Sequence, residues 1–213
     1  MSGLTDNLDS IAERIRQGFS GLDVAREKVL PLCREAIRYC SNAIRALHRQ
    51  EFDNAEGSLK SARKLLGEIK QAVSDHSELR TTGFIRDAQK EFAEGSITLA
   101  LVTGKQPPTP DDLGVDFAAY LHGLGEAVGE LRRYLLDSMR RGDLSRGEEL
   151  LSAMDDIYNI LVTMDFPDAI TCGLRRTTDM VRGVLERTRS DLTLLIRQRD
   201  MEKRLDLFEQ GLK

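Results

Sequence analysis

The chain has 213 residues and a formal net charge of −4, from 31 Lys and Arg against 35 Asp and Glu. That length can bury a core without disulfides or a structural metal, and the mild acidity leaves any nucleic-acid contact to a local patch. Hydrophobic residues make up 40% of the chain but aromatics only 5%, with no Trp and five Pro, so helix formers dominate and sheet-forming material is scarce. Cys33, Cys40 and Cys172 are odd in number and lack CxxC spacing; they argue against a disulfide framework or zinc site, read as buried small hydrophobes and suit a reducing cytosol. No apolar run approaches the ~18 to 20 residues of a membrane span, and MSGLTDNLDS has neither a basic region nor an apolar leader core. The expectation is a cytoplasmic protein, neither secreted nor membrane-inserted.

Proline and glycine divide the chain into long helical stretches. From about Leu22 to Arg49, Val29, Cys33, Ile37, Cys40, Ile44 and Leu47 recur at spacings of three and four, the amphipathic helical pattern. Pro31 falls in this stretch, as a kink or as its first turn. A second helix is expected from Phe52 to Ser74 and a third from Thr82 to Val102. After the GKQPPTPDDLG loop, Thr109 or Asp111 caps a fourth helix reaching Arg141, stopped by Gly142-Asp143. Ser145 caps a fifth, to about Met164. Beyond Pro167 a sixth runs to about Gln210, roughly 40 residues or about 60 Å, more than one small bundle covers, so part of it is expected to pack on another subunit. No repeat or low-complexity tract separates these stretches, and residues 1–213 read as one domain: an all-α antiparallel bundle of six or seven helices ending in a long C-terminal one.

Two acidic pairs stand out. On the third helix Glu91 lies at the edge of the apolar arc formed by Phe84, Ala88, Phe92, Leu99 and Val102, with Glu94 one turn on and Asp87 one turn back. On the fourth, Glu126 and Glu130 are i,i+4 neighbours whose like charges repel unless a cation sits between them. Brought together, such pairs offer hard oxygen ligands for Mg2+ or Mn2+, the arrangement that activates water against a phosphodiester. Spacing alone favours the plainer reading, a solvated acidic face.

A basic ridge occupies the first long helix. Arg34, Arg38, Arg45 and Arg49 project within about 60° of one another, and residues 26–50 hold six Lys or Arg against two acids. A ridge of this kind can follow a phosphate backbone without reading bases, or it is an ordinary wet face. Arg132, Arg133, Arg140 and Arg141 form a lesser patch. His48, His76 and His122 share no metal spacing, RGD at 141–143 reads as a helix stop, and no Walker loop, dinucleotide fingerprint or nucleophile elbow is present.

Three segments resemble the translin and TRAX family over roughly residues 20–200: VDFAAYLHGLGEAVGELRRYLLDSMRRGD at 115–143, REAIRYCSNAIRALHR at 34–49 and EFAEG at 91–95. In the TRAX branch an E-x-x-E and an acidic-x-x-x-E form a Mg2+-dependent ribonuclease site. The resemblance therefore implies a site at Glu91, Glu94, Glu126 and Glu130, with Glu126 standing where the family pattern has Asp. It also implies a translin-like fold, RNA as partner and an oligomeric shell enclosing it. For a single chain type that shell is expected to be a homo-octamer, with Arg34, Arg38, Arg45 and Arg49 gripping the strand. The competing expectation is a non-catalytic translin-like shell that binds single-stranded RNA or ssDNA.

Overall fold

The computed structural model describes Thr5 and residues 7–211, and among these every regular element is a helix. Six are long: α1 (Leu8–His48), α2 (Phe52–Ala72), α4 (Gly83–Val102), α6 (Phe117–Arg140), α7 (Gly147–Thr163) and α9 (Leu174–Gly211). Three are single turns of four residues at the corners: α3 (Ser77–Arg80), α5 (Pro110–Leu113) and α8 (Asp168–Thr171). No helix among the described residues is long and apolar enough to cross a membrane.

Helices α1 and α2 form a close hairpin because the facing residues are small. Ala36, Ala43 and Ala46 on α1 meet a partner that buries Ala55 and Ala62. Gln50 turns the chain between them with φ 63°, a left-handed residue without the freedom of glycine. Helix α4 packs against α1 and α6, and α9 covers α6 and α7. The main core runs through Phe92, Ile97, Leu131, Leu135, Met154, Leu161, Val181 and Leu192, with a smaller cluster of Val29, Cys33, Ile69 and Ile85 toward the α2–α4 corner.

The boundaries depart from expectation at four places. Helix α1 begins at Leu8 rather than Leu22, which places Pro31 well inside it, the first of its two expected positions, and not in its first turn. Its first turns carry Leu8, Ile11, Ile15 and Phe19 at helical spacing, all exposed, so the pattern exists but among the described residues it is left uncovered. The proline-loop helix is two helices. Thr109 does cap a turn, in a reciprocal capping box with Asp112, but Gly114 at φ 69° ends it and α6 starts afresh at Phe117.

Ser145 does not cap α7, whose N-cap is Arg146 with no side-chain cap bond. The Arg146 guanidinium instead reaches back to the Leu101 and Val102 carbonyls at the C-terminus of α4, where a cation satisfies orphan acceptors. The last helix is likewise interrupted, since Cys172 (φ 57°) and Gly173 (φ 84°) separate α8 from α9. Cys33 and Cys40 are buried, whereas Cys172 is only half-buried, its sulfur receiving Arg86.

Helix α9 spans about 57 Å at 1.5 Å per residue. Among the described residues its buried positions end at Leu192. Beyond it Leu194, Met201, Leu205 and Phe208 lie exposed with near-heptad spacing.

Candidate nucleic-acid and metal site

The expected acids come from two helices that cross unusually closely. A Cβ built on Gly123 of α6 would fall 2.7 Å from the Lys90 carbonyl and 2.9 Å from the Glu94 amide of α4. Only glycine permits that contact. One turn further along α6 comes Glu126, brought by this crossing onto the α4 face that carries Glu91 and Glu94.

Ligand oxygens of Glu91, Glu94 and Glu126 all lie within 4.8 Å of one another. Burial, followed by the charges of Glu91, Glu126 and Glu130, pushes the Glu94 pKa up to about 8. Lys90 is planted among these acids, its Nζ 2.9 Å from Glu126 Oε1 and 3.4 Å from Glu91 Oε1. Burial opposes its charge, but Glu126 and then Glu91 outweigh that cost and lift the Lys90 pKa above the ordinary lysine value. Cys40 closes the α1 side, its thiol raised to about 12 by burial and then by Glu91 and Glu94. It is a neutral neighbour, which leaves carboxylate oxygens as the donors and suits a hard divalent cation.

Glu130 stands apart from this trio. Its Oε2 accepts from His48 Nε2 of α1, and Arg133 lies 4.0 Å away. The His48 side chain is only 5% exposed, and its Nδ1 is buried with no hydrogen-bond partner among the described residues. Asp87 is exposed and not part of the cluster.

Arg34, Arg38 and Arg45 are exposed on α1 and Arg49 at its C-cap, as the periodicity predicts. Arg38 pairs with Glu35 at 3.0 Å, Arg45 donates to Asn42 and Arg49 contacts Glu51. At 100° per residue the ridge lies on the face of α1 opposite Ala36, Cys40 and Leu47, which are buried. The lesser patch does not survive as one: Arg132 is taken up by Thr188 and Asp191, and Arg141 by Ser138. His122 is a packing residue, bonded to Thr177 and the Thr171 carbonyl. An apolar groove of 840 Å³ between α6 and α7, lined by Leu121, Ile157 and Phe166, contains none of the expected acids.

No protein-family model matches the chain. An uncharacterised protein of Methanocaldococcus jannaschii is 30% identical over 195 residues, which is 89% of this chain and 85% of that protein. The crystal structure of AfC3PO, a translin/TRAX-like protein, is 34% identical with a TM-score of 0.81, over 88% of this chain and 98% of that one. The chain belongs to the translin/TRAX family. A second AfC3PO structure, a complex with duplex RNA, aligns at 33% identity and the same TM-score over 88% and 97% of the two chains. NeC3PO, at 16% identity and TM-score 0.75 over 91% of this chain and all of that one, shares the fold.

Three residues of this candidate site in the translin/TRAX chain escape a reading of the sequence alone. Lys90 carries a signal, as a cation directly beside a core-edge Glu. Gly123 lies in HGLG, where glycine inside a helix otherwise costs about 1 kcal/mol and so points to close packing. His48 carries none, because its partner is 82 positions away.

Proposed function

We propose that this chain is a subunit of an RNA-binding oligomer that cleaves RNA with a divalent metal, Mg2+ or Mn2+, held by Glu91, Glu94 and Glu126. The reading rests on one observation: these acids converge to within 4.8 Å in a chain whose 33% identical relative was solved on duplex RNA. The ion would supply water activation and charge stabilisation at the phosphate. Glu130 is kept out of the trio by His48, whose Nε2–H fixes one carboxylate oxygen. Its other oxygen is left to orient the attacking water rather than to ligate metal. The Arg34, Arg38, Arg45 and Arg49 ridge holds the strand by its phosphates, without sequence readout.

The direct test is a labelled RNA, single-stranded and duplex, incubated with the purified protein in Mg2+, in Mn2+ and in EDTA. Endonucleolytic products are expected with either metal and none in EDTA. Tight binding without products in both metals would move the function to a non-catalytic shell. That second reading has its own support in Lys90, which already neutralises two of the acids.

The ridge makes an independent prediction. Reversing two charges in Arg38→Glu/Arg45→Glu should weaken RNA binding by about 10²-fold near 0.1 M salt and make the salt slope shallower by about two. Unchanged affinity in a filter-binding titration would remove the ridge from the interface. The exposed stripe Leu194, Met201, Leu205 and Phe208 supports assembly with further copies, and an octamer is the proposed state.

A further inference from the structure

Lys90 sits inside the acidic cluster rather than beside it. Its Nζ accounts for oxygens of both Glu91 and Glu126 at 3.4 and 2.9 Å, and these are two of the three carboxylates that converge. An ammonium has three donors and no acceptor, so it can neutralise carboxylates but cannot share their lone pairs with a second cation. A divalent ion ligated by Glu91 and Glu126 competes with Nζ for the same negative charge, and at contact distance it repels Nζ.

The backbone cannot make the room. The Lys90 carbonyl is pressed against α6, where a Cβ on Gly123 would come within 2.7 Å. The side chain can, because it is 22% exposed and carries its charge on a flexible four-carbon stem. Resting on the metal-site reading above, we propose that Lys90 is the resident counter-ion of the cluster, displaced from Glu91 and Glu126 when a divalent cation binds. Lys90 thereby sets how tightly the site takes metal. Without an ion it keeps the like charges from driving α4 and α6 apart. With one it exacts a competition that lowers affinity.

The test uses the full-length protein and metal alone, with no RNA. Mn2+ binding is measured by electron paramagnetic resonance, and Mg2+ binding by calorimetry, for the wild type, Lys90→Met and Lys90→Arg. Lys90→Met removes the charge and keeps the bulk, and should bind both ions at least tenfold more tightly, while Lys90→Arg stays within about threefold of wild type. Wild type and Lys90→Met binding equally would overturn the counter-ion role and leave the metal site standing. Neither binding would overturn both. A wild-type measurement guards against a variant that fails to fold: the Lys90 ammonium resonance, assigned by its loss in Lys90→Arg, should shift on adding Mg2+ and return with EDTA. A resonance that Mg2+ leaves unmoved would also overturn the proposal.

Discussion

Glu91→Gln/Glu94→Gln should lose metal-dependent cleavage by at least ~10³-fold, equivalent to about 4 kcal/mol of transition-state stabilisation, while RNA affinity stays within about threefold. The two readouts separate because the strand is held by α1 arginines that the substitutions do not touch. Stability should move the other way. Glu94 holds its proton in the folded chain up to about pH 8, while in the unfolded chain it ionises near 4.5. Between those values the folded state binds more protons, so metal-free stability falls as pH rises through the window and is level on either side. Glutamine removes that slope. Thermal melts in EDTA from about pH 5 to about 8.5 should show the wild type declining and Glu94→Gln nearly flat, with the variant the more stable at the upper end. A wild-type melting temperature that rises across that window would contradict the placement of Glu94 among like charges. The site thus costs the metal-free fold stability, as expected of carboxylates gathered for a cation.

The fold was readable wherever a pattern is local. The Phe52, Thr82 and Arg141 boundaries fall within a few residues of the observed helix ends because capping, glycine stops and three-four spacing are properties of contiguous sequence. The errors fall where a helix ends for a backbone reason or is closed from afar. Gly114, Cys172 and Gly173 break helices through positive φ in stretches whose apolar spacing continues unbroken, and Arg146 takes the place expected of Ser145 because its guanidinium serves the end of α4. Glu91 and Glu94 were legible as an i,i+3 pair with Glu91 at the core edge, and Glu126 as the i,i+4 neighbour of Glu130; family resemblance joined them across two helices. That Glu130 would turn to His48 was not legible, since nothing local links positions 82 apart.

The closest determinant of the site carries no chemistry at all. Gly123→Val should destabilise the fold by about 3 kcal/mol or more, because the new side chain meets the backbone of Lys90 and Glu94, which cannot rotate away as a flexible side chain could. In a chain of this size that corresponds to roughly 6 to 12 °C in melting temperature. Gly129, on the same helix, has nothing within 4 Å of the position a Cβ would take, so Gly129→Ala should instead stabilise by about 0.5 to 1 kcal/mol through helix propensity and reduced backbone entropy. The pair separates a packing requirement from a general dislike of change in α6. Where Gly123→Val still folds, α4 and α6 must stand further apart, and Mn2+ affinity should fall together with stability even though every carboxylate is intact. Retained affinity at wild-type stability would mean the crossing does not set the acid spacing. Loss of affinity would show that the geometry of Glu91, Glu94 and Glu126 is fixed by the absence of one methyl group on the facing helix.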